Sequence, residues 1–272
     1  MEGPSPTRGP FLLRDFVMNA QPSRILVEAC VDSVESAIAA ERGGAHRLEL
    51  CDALVDGGTT PSAGMIAAVK AAVGIPVFVI LRPRGGGFVY SEAEADVMRR
   101  DAEVAVTLGV DGVVVGALRP DACVDVRRTR ALIDASGGLP VTFHRAFDLV
   151  RDRYEALDAL ASAGVTRVLT SGGSRNALLG ADEIGSMVTA AGSRLIVVAG
   201  GGIREENVAE VVRRSGVREI HVRGTKLRHT AMSPANDTIH LRKLLPDDEG
   251  AWEETDEARV RAFVQRASEA AM

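Results

Sequence analysis

Cysteine is scarce: Cys30, Cys51 and Cys123 are the three among 272 residues. So small a set, at no framework spacing, excludes a disulfide-stapled secreted module and points to a reducing compartment, the cytoplasm. Positive charge is not in excess either. The formal net charge of −5 leaves no basic face for nucleic acid and no polybasic patch for a membrane surface. Lysine stands only at Lys70, Lys226 and Lys243; the other cationic side chains are arginine, a bias that reads as codon usage rather than chemistry. No apolar run approaches the ~20 residues of a membrane span.

What is present suffices for a large core, with 46% apolar and 25% charged residues. Residues 1–24 stand apart, carrying Pro4, Pro6, Pro10 and Pro22 without a sustained period. Phe11, Leu12 and Leu13 are too few for a signal-peptide core, so this stretch reads as a flexible extension, with Met18 an alternative start to Met1. Residues 25–272 read as one domain. Short β-branched runs begin at Ile25, His46, Pro76, Asp111, Pro140, Thr166, Arg194 and Glu219. Helical patterns lie between them, at Ser33 to Arg42, Glu92 to Leu108, Val124 to Ala135, Asp152 to Ala163 and Glu205 to Arg214. Eight strands, each followed by a helix-like segment, describe an α/β protein of the (β/α)8 TIM-barrel class, with a doubly wound open sheet as the alternative. Gly44, Gly109, Gly164 and Gly216 each close a helix before an even-numbered strand, an echo that favours the closed barrel. Trp252 to Ala271 reads as a final helix, closing the barrel or meeting a second subunit of a homo-oligomer.

Side chains at the downstream ends of barrel strands face the mouth where chemistry is done. Period-two alternation puts Glu28 with Cys30 on the first strand, and Glu49 with Cys51 on the second, on equivalent faces. Paired thiolates suit soft Cu(I), which two of them hold in near-linear geometry, whereas the bland reading makes both cysteines small buried hydrophobes. The turn Asp56 to Ser62 reads as loop and cap chemistry. Arg82-Pro-Arg84 followed by three glycines forms a basic loop able to clasp an anion, or simply a charged surface loop. The fifth strand carries Thr142 and His144 and runs into Arg145 and Asp148, where His144 suits an acid, a base or a ligand and Asp148 either assists it or fastens Arg145. Gly200, Gly201 and Gly202 end the seventh strand, a common place for phosphate to meet backbone N–H groups. The face of His221, on the eighth strand, depends on a register that alternation alone does not fix.

Taken together, Glu28-Ala-Cys-Val-Asp-Ser, Arg47-Leu-Glu-Leu-Cys, Gly57-Gly-Thr-Thr-Pro-Ser, Arg82-Pro-Arg-Gly-Gly, Thr142-Phe-His-Arg-Ala-Phe-Asp and Leu169-Thr-Ser-Gly resemble, in that order, the CutC family of copper-homeostasis proteins. The resemblance covers Ile25 to Thr225. It implies a (β/α)8 barrel, a cytoplasmic location and a role in copper tolerance or trafficking through Cu(I), with Cys30 and Cys51 as the ligand positions. Gly87 departs from the pattern, where relatives commonly carry aspartate, and so does Arg223, where they more often carry a small residue. The residues leave two further readings open. One is an enzyme in which Glu28, Glu49, Arg82, His144 and Asp148 do acid–base work on a small anionic ligand held by Arg84 and Gly200 to Gly202. The other is a hard divalent ion held by Glu28, Glu49 and His144.

Overall fold

The computed structural model describes residues 24–232 and 250–270. The N-terminal extension up to residue 23, the alternative start at Met18, and Lys243 lie outside the described residues. Eight parallel strands follow one another around a closed ring: β1 (Leu26–Val31), β2 (Arg47–Leu50), β3 (Val77–Ile80), β4 (Gly112–Val115), β5 (Val141–Phe143), β6 (Arg167–Thr170), β7 (Ile196–Gly200) and β8 (Glu219–Val222). Strand β8 pairs back to β1, with Glu28 opposite His221, so the sheet has no edge and the open-sheet alternative is excluded. Around it run α1 (Val34–Arg42), α2 (Ala63–Ala72), α3 (Glu92–Thr107), α4 (Val126–Ala135), α5 (Arg153–Ala163), α6 (Ala181–Ala191) and α7 (Val208–Ser215). No described helix is long and apolar enough to cross a membrane.

Local chemistry sets the helix ends. Ser33, Ser62, Asp125 and Asp152 cap α1, α2, α4 and α5 by accepting backbone N–H groups of the first turn. Ser91 and Glu94 form a reciprocal capping box on α3. Gly44, Gly109, Gly164 and Gly216 all adopt positive φ, the left-handed conformation that lets the chain leave a helix and enter the next strand without a Cβ clash. Helix α7 starts later than the Glu205 predicted from periodicity. Asn207 instead binds back to the preceding loop, accepting the Arg204 N–H at 2.8 Å and donating to the Gly202 carbonyl.

Alternation along the strands sends Val27, Ala29 and Val31 outward under the helices and Glu28 and Cys30 inward. The barrel floor is therefore ionic. Arg47 donates to Glu28 and to Glu219, the latter at 2.7 Å, and Arg167 reaches the same Glu219 at 3.0 Å. The Phe78 ring lies under both guanidiniums, 4.9 and 5.6 Å from their carbons. Its bulk is accommodated by Gly112 on the neighbouring strand, where a Cβ would come within 2.5 Å of the ring. Such a network holds because each charge is paired; removing one partner leaves a buried charge.

The C-terminal segment departs from the single helix predicted from Trp252. Residues Ala251–Thr255 form β10, antiparallel to β9 (Thr225–His229), and α8 (Glu257–Ala270) follows. Extended pairing wins there because Thr225 to His229, just past β8, offers a free partner strand. The Thr255 N–H also donates to Ser36 on α1. Helix α8 then buries Val260, Phe263 and Ala267, and Val260 packs against Gly43, leaving no room for a Cβ there.

Candidate functional site

Strands β1 and β2 place their inward carboxyl and thiol groups side by side. Cys30 lies opposite Glu49 in the register, and Cys51 follows β2 with its N–H bonded to the Val31 carbonyl. The two sulfurs are 3.9 Å apart. Ligand atoms of Cys30, Glu49 and Cys51 all lie within 4.8 Å of one another, and all three residues are buried. Phe78, Ile80 and Val114 pack around the thiols and make the setting apolar. The turn after β2 closes over them at Gly58, whose φ of +89° and missing Cβ let the backbone come up to Cys51.

His221 completes this cluster, which alternation alone did not assign. Its Nδ1–H donates to Glu28 at 2.8 Å, and its Nε2 lies 3.6 Å from Glu49. Burial acts to neutralise Glu28, but Arg47 and then His221 outweigh it and hold the carboxyl at about 2. Burial dominates at Glu49 and raises it to about 8 against the pull of His221. Burial also opposes a charged His221, yet Glu49, Cys30 and Glu28 outweigh it and hold the imidazolium well above its ordinary range. The Cys51 thiol donates toward Cys30, lowering Cys30 with help from His221, while Cys51 keeps its proton and is raised. Near pH 7 Glu49 is thus largely protonated above an ionised Glu28, with Cys30 shifted toward the thiolate and Cys51 away from it.

This donor set fits a soft ion. The sulfurs, 3.9 Å apart, and the Glu49 carboxyl beside them would hold such an ion between β1 and β2.

The opposite wall comes from β3 and β5. His144 caps the short 3-10 helix Arg145–Leu149, its Nδ1 accepting the Ala146 N–H at 3.1 Å. That bond places the ring hydrogen on Nε2, which is buried and has no partner among the described residues. Burial, reinforced by the Arg82 charge, pushes His144 down to about 3, so the ring is neutral. Gly116 makes room for it, since a Cβ there would sit 2.0 Å from ring Cε1. Phe88 packs against both His144 and Arg82.

Cys30, Glu49, Cys51, Arg82, His144, Gly201 and Gly202 all line one cavity of about 460 Å³ at the barrel mouth. The other candidates lie outside it. Glu28 sits beneath the floor, held by Arg47 and His221. Asp148 is fully occupied, accepting from Arg145, Thr170, Ser171 and Gly173, so it fastens the loop. Arg84 pairs with Glu94 and braces its own glycine loop through the Gly85, Gly87 and Val89 carbonyls. Gly200 packs on Leu169 and His221. His221, Arg145, Arg204, Arg223 and Arg259 add the remaining charged and imidazole side chains of the lining, and Arg223 is held by Glu253 on β10. Only the β1–β8 register, with Glu28 opposite His221, reveals the role of His221.

A sequence profile of the CutC family matches residues 25–226. The copper homeostasis protein cutC homologs of Mus musculus and Homo sapiens are each 45% identical over 238 residues, 88% of this chain, covering 88% and 87% of their own lengths. A CutC family protein of Xanthomonas campestris pv. campestris is 44% identical over 88% of this chain and 97% of its own. A crystal structure of CutC from Streptococcus agalactiae superposes with a TM-score of 0.70 at 35% identity, covering 72% of this chain and 97% of that one. Thiamine phosphate pyrophosphorylase from Pyrococcus furiosus, at 14% identity and a TM-score of 0.56 over 92% of this chain and 98% of its own, shares the barrel fold alone. The chain belongs to the CutC family.

Proposed function

We propose that this protein serves copper homeostasis in the cytoplasm by binding Cu(I) at the barrel mouth, with Cys30 and Cys51 as ligands and Glu49 beside them. One observation carries the reading: two buried thiols from adjacent strands face each other at 3.9 Å in an apolar pocket open to the mouth. Soft thiolates select Cu(I), and the low affinity of Cu(I) for carboxylate leaves Glu49 a flanking role. The copper homeostasis names of the mouse and human relatives support the same ion. All three cysteines are free, as a reducing cytoplasm requires. The hard-ion alternative has less support, because His144 lies outside the ligand group and Glu28 is held by Arg47 and His221.

Anaerobic competition with a chromogenic Cu(I) chelator tests the proposal. The wild type should withdraw one Cu(I) per chain, and the Cys30→Ser, Cys51→Ser double variant should withdraw none. Equal affinity in the two proteins would end the thiolate assignment.

A further inference from the structure

Arg82 is a buried cation without a counter-charge. The residue is 4% exposed. Among the described residues its Nη groups donate only to the backbone carbonyls of Asp56, Gly58 and Gly86, and its Nε meets no acceptor. It makes no ion pair among the described residues. A guanidinium withdrawn from water in this way is costly unless something anionic meets it. The Phe88 face, 5.1 Å away, supplies no full charge.

His144 lines the same cavity with a second unmet donor, the Nε2–H that its bond to Ala146 enforces. A third set lies across the mouth. Gly201 and Gly202, at φ of +94° and +66°, turn the chain after β7. The N–H groups of Gly202 and Ile203 meet no acceptor among the described residues, while Gly201 continues the β7–β8 ladder beside His221. Arg145 stacks its guanidinium on Gly201, close enough that a Cβ there would lie 2.8 Å from it. Arg204 is exposed at the rim, and its side chain makes no hydrogen bond or ion pair among the described residues. Among the described residues Glu49 is the one carboxylic acid lining the cavity, against five arginines, Arg82, Arg145, Arg204, Arg223 and Arg259. A cavity of about 460 Å³ falls within the range of small-molecule sites.

We propose that this mouth binds a small organic oxyanion of the phosphate or carboxylate class. Its anionic group lies at the Gly201–Ile203 turn beside Arg145 and Arg204, and a further acceptor oxygen meets Arg82 and His144. Unpaired backbone N–H groups at a glycine turn form an anion-binding concavity, and arginine adds charge-assisted bonds. The ligand would occupy the space above the thiols, so anion and copper share one chamber.

The test uses full-length, metal-free protein, titrated calorimetrically at fixed ionic strength with glycerol 3-phosphate, inorganic phosphate and malonate as separate probes. Saturable binding with a Kd of about 1 mM or tighter is expected for at least one probe, and the preference between the phosphate and malonate arms identifies the anionic group. Arg204→Ala and His144→Gln should each weaken binding about tenfold. The ¹⁵N-resolved His144 Nε2–H resonance should shift on saturation, a readout that non-specific surface anions would leave unmoved. Absence of saturable binding by all three probes would overturn the proposal. So would unchanged affinity in both folded variants together with an unmoved His144 resonance. No copper is present in the experiment, so its failure is separate from failure of the Cu(I) reading.

Discussion

Replacing His144 by glutamine should remove a specific pH dependence from the stability of the fold. The ordinary value of 6.5 is pushed down to about 3, first by burial and then by Arg82. In the unfolded chain the ring titrates near 6.5. Between those values the unfolded state takes up a proton that the folded state refuses, so stability held above pH 6.5 is lost as pH falls toward 3. Near pH 5 the unfolded ring is protonated over neutral by about 30 to 1, a linkage loss of ~2 kcal/mol relative to pH 8. For a chain of this size that lowers Tm by roughly 4–8 °C. Glu49 acts in the opposite direction, since its raised value gives stability that is lost as pH rises from 4.5 to about 8. The raised His221 likewise gives stability that is lost as pH rises. Both groups are shared by wild type and variant, so the difference between the two proteins isolates His144. Urea unfolding of each near pH 8 and near pH 5 should show that difference changing by ~2 kcal/mol. Parallel pH profiles would mean that His144 titrates normally in the fold, and would refute its burial as a neutral donor.

Three further outcomes follow from the geometry. Arg47→Met should cost about 3–5 kcal/mol, because Glu28 loses its guanidinium and Glu219 keeps only Arg167; adding Glu28→Gln should recover part of the loss. A urea-unfolding cost below about 1 kcal/mol would assign the network the value of a surface pair. Gly116→Ala should cost ~1–3 kcal/mol or more through the clash with the His144 ring, and should displace the ring's Nε2–H resonance; unchanged stability and resonance would contradict that close approach. Glu49→Gln should weaken Zn(II) binding by more than about tenfold and Cu(I) binding by less, since carboxylate suits the harder ion; chelator competition showing the reverse order would contradict its flanking role.

Much of the barrel was legible because its signals are local. Serine and aspartate caps mark helix starts, glycines with positive φ mark the returns to β2, β4, β6 and β8, and the even spacing of apolar runs marks eight strands. The C-terminal hairpin was not, because Trp252 to Thr255 becomes extended only by pairing with Thr225 to Arg228. In the site, alternation placed Cys30 with Glu28 and Cys51 with Glu49, since each pair lies two residues apart. It did not reveal that Arg47, on the neighbouring strand, would neutralise Glu28, nor that His221 would stand between the two carboxyl groups. The first depends on the β1–β2 register, which sets Glu28 opposite Arg47, and the second on the closed seam from β8 to β1. The Arg145–Asp148 pair was one of the two readings the strand end offered, but that Ser171 would also bind Asp148, and Glu94 hold Arg84, was out of reach, because both partners come from later segments.

X-ray absorption at the copper edge, on protein loaded anaerobically with one equivalent of Cu(I), tests the central assignment most directly. The account predicts two sulfur neighbours in the wild type, one in Cys30→Ser and one in Cys51→Ser, with tight binding lost in the double variant. A first shell of nitrogen and oxygen alone, unchanged by either substitution, would contradict it.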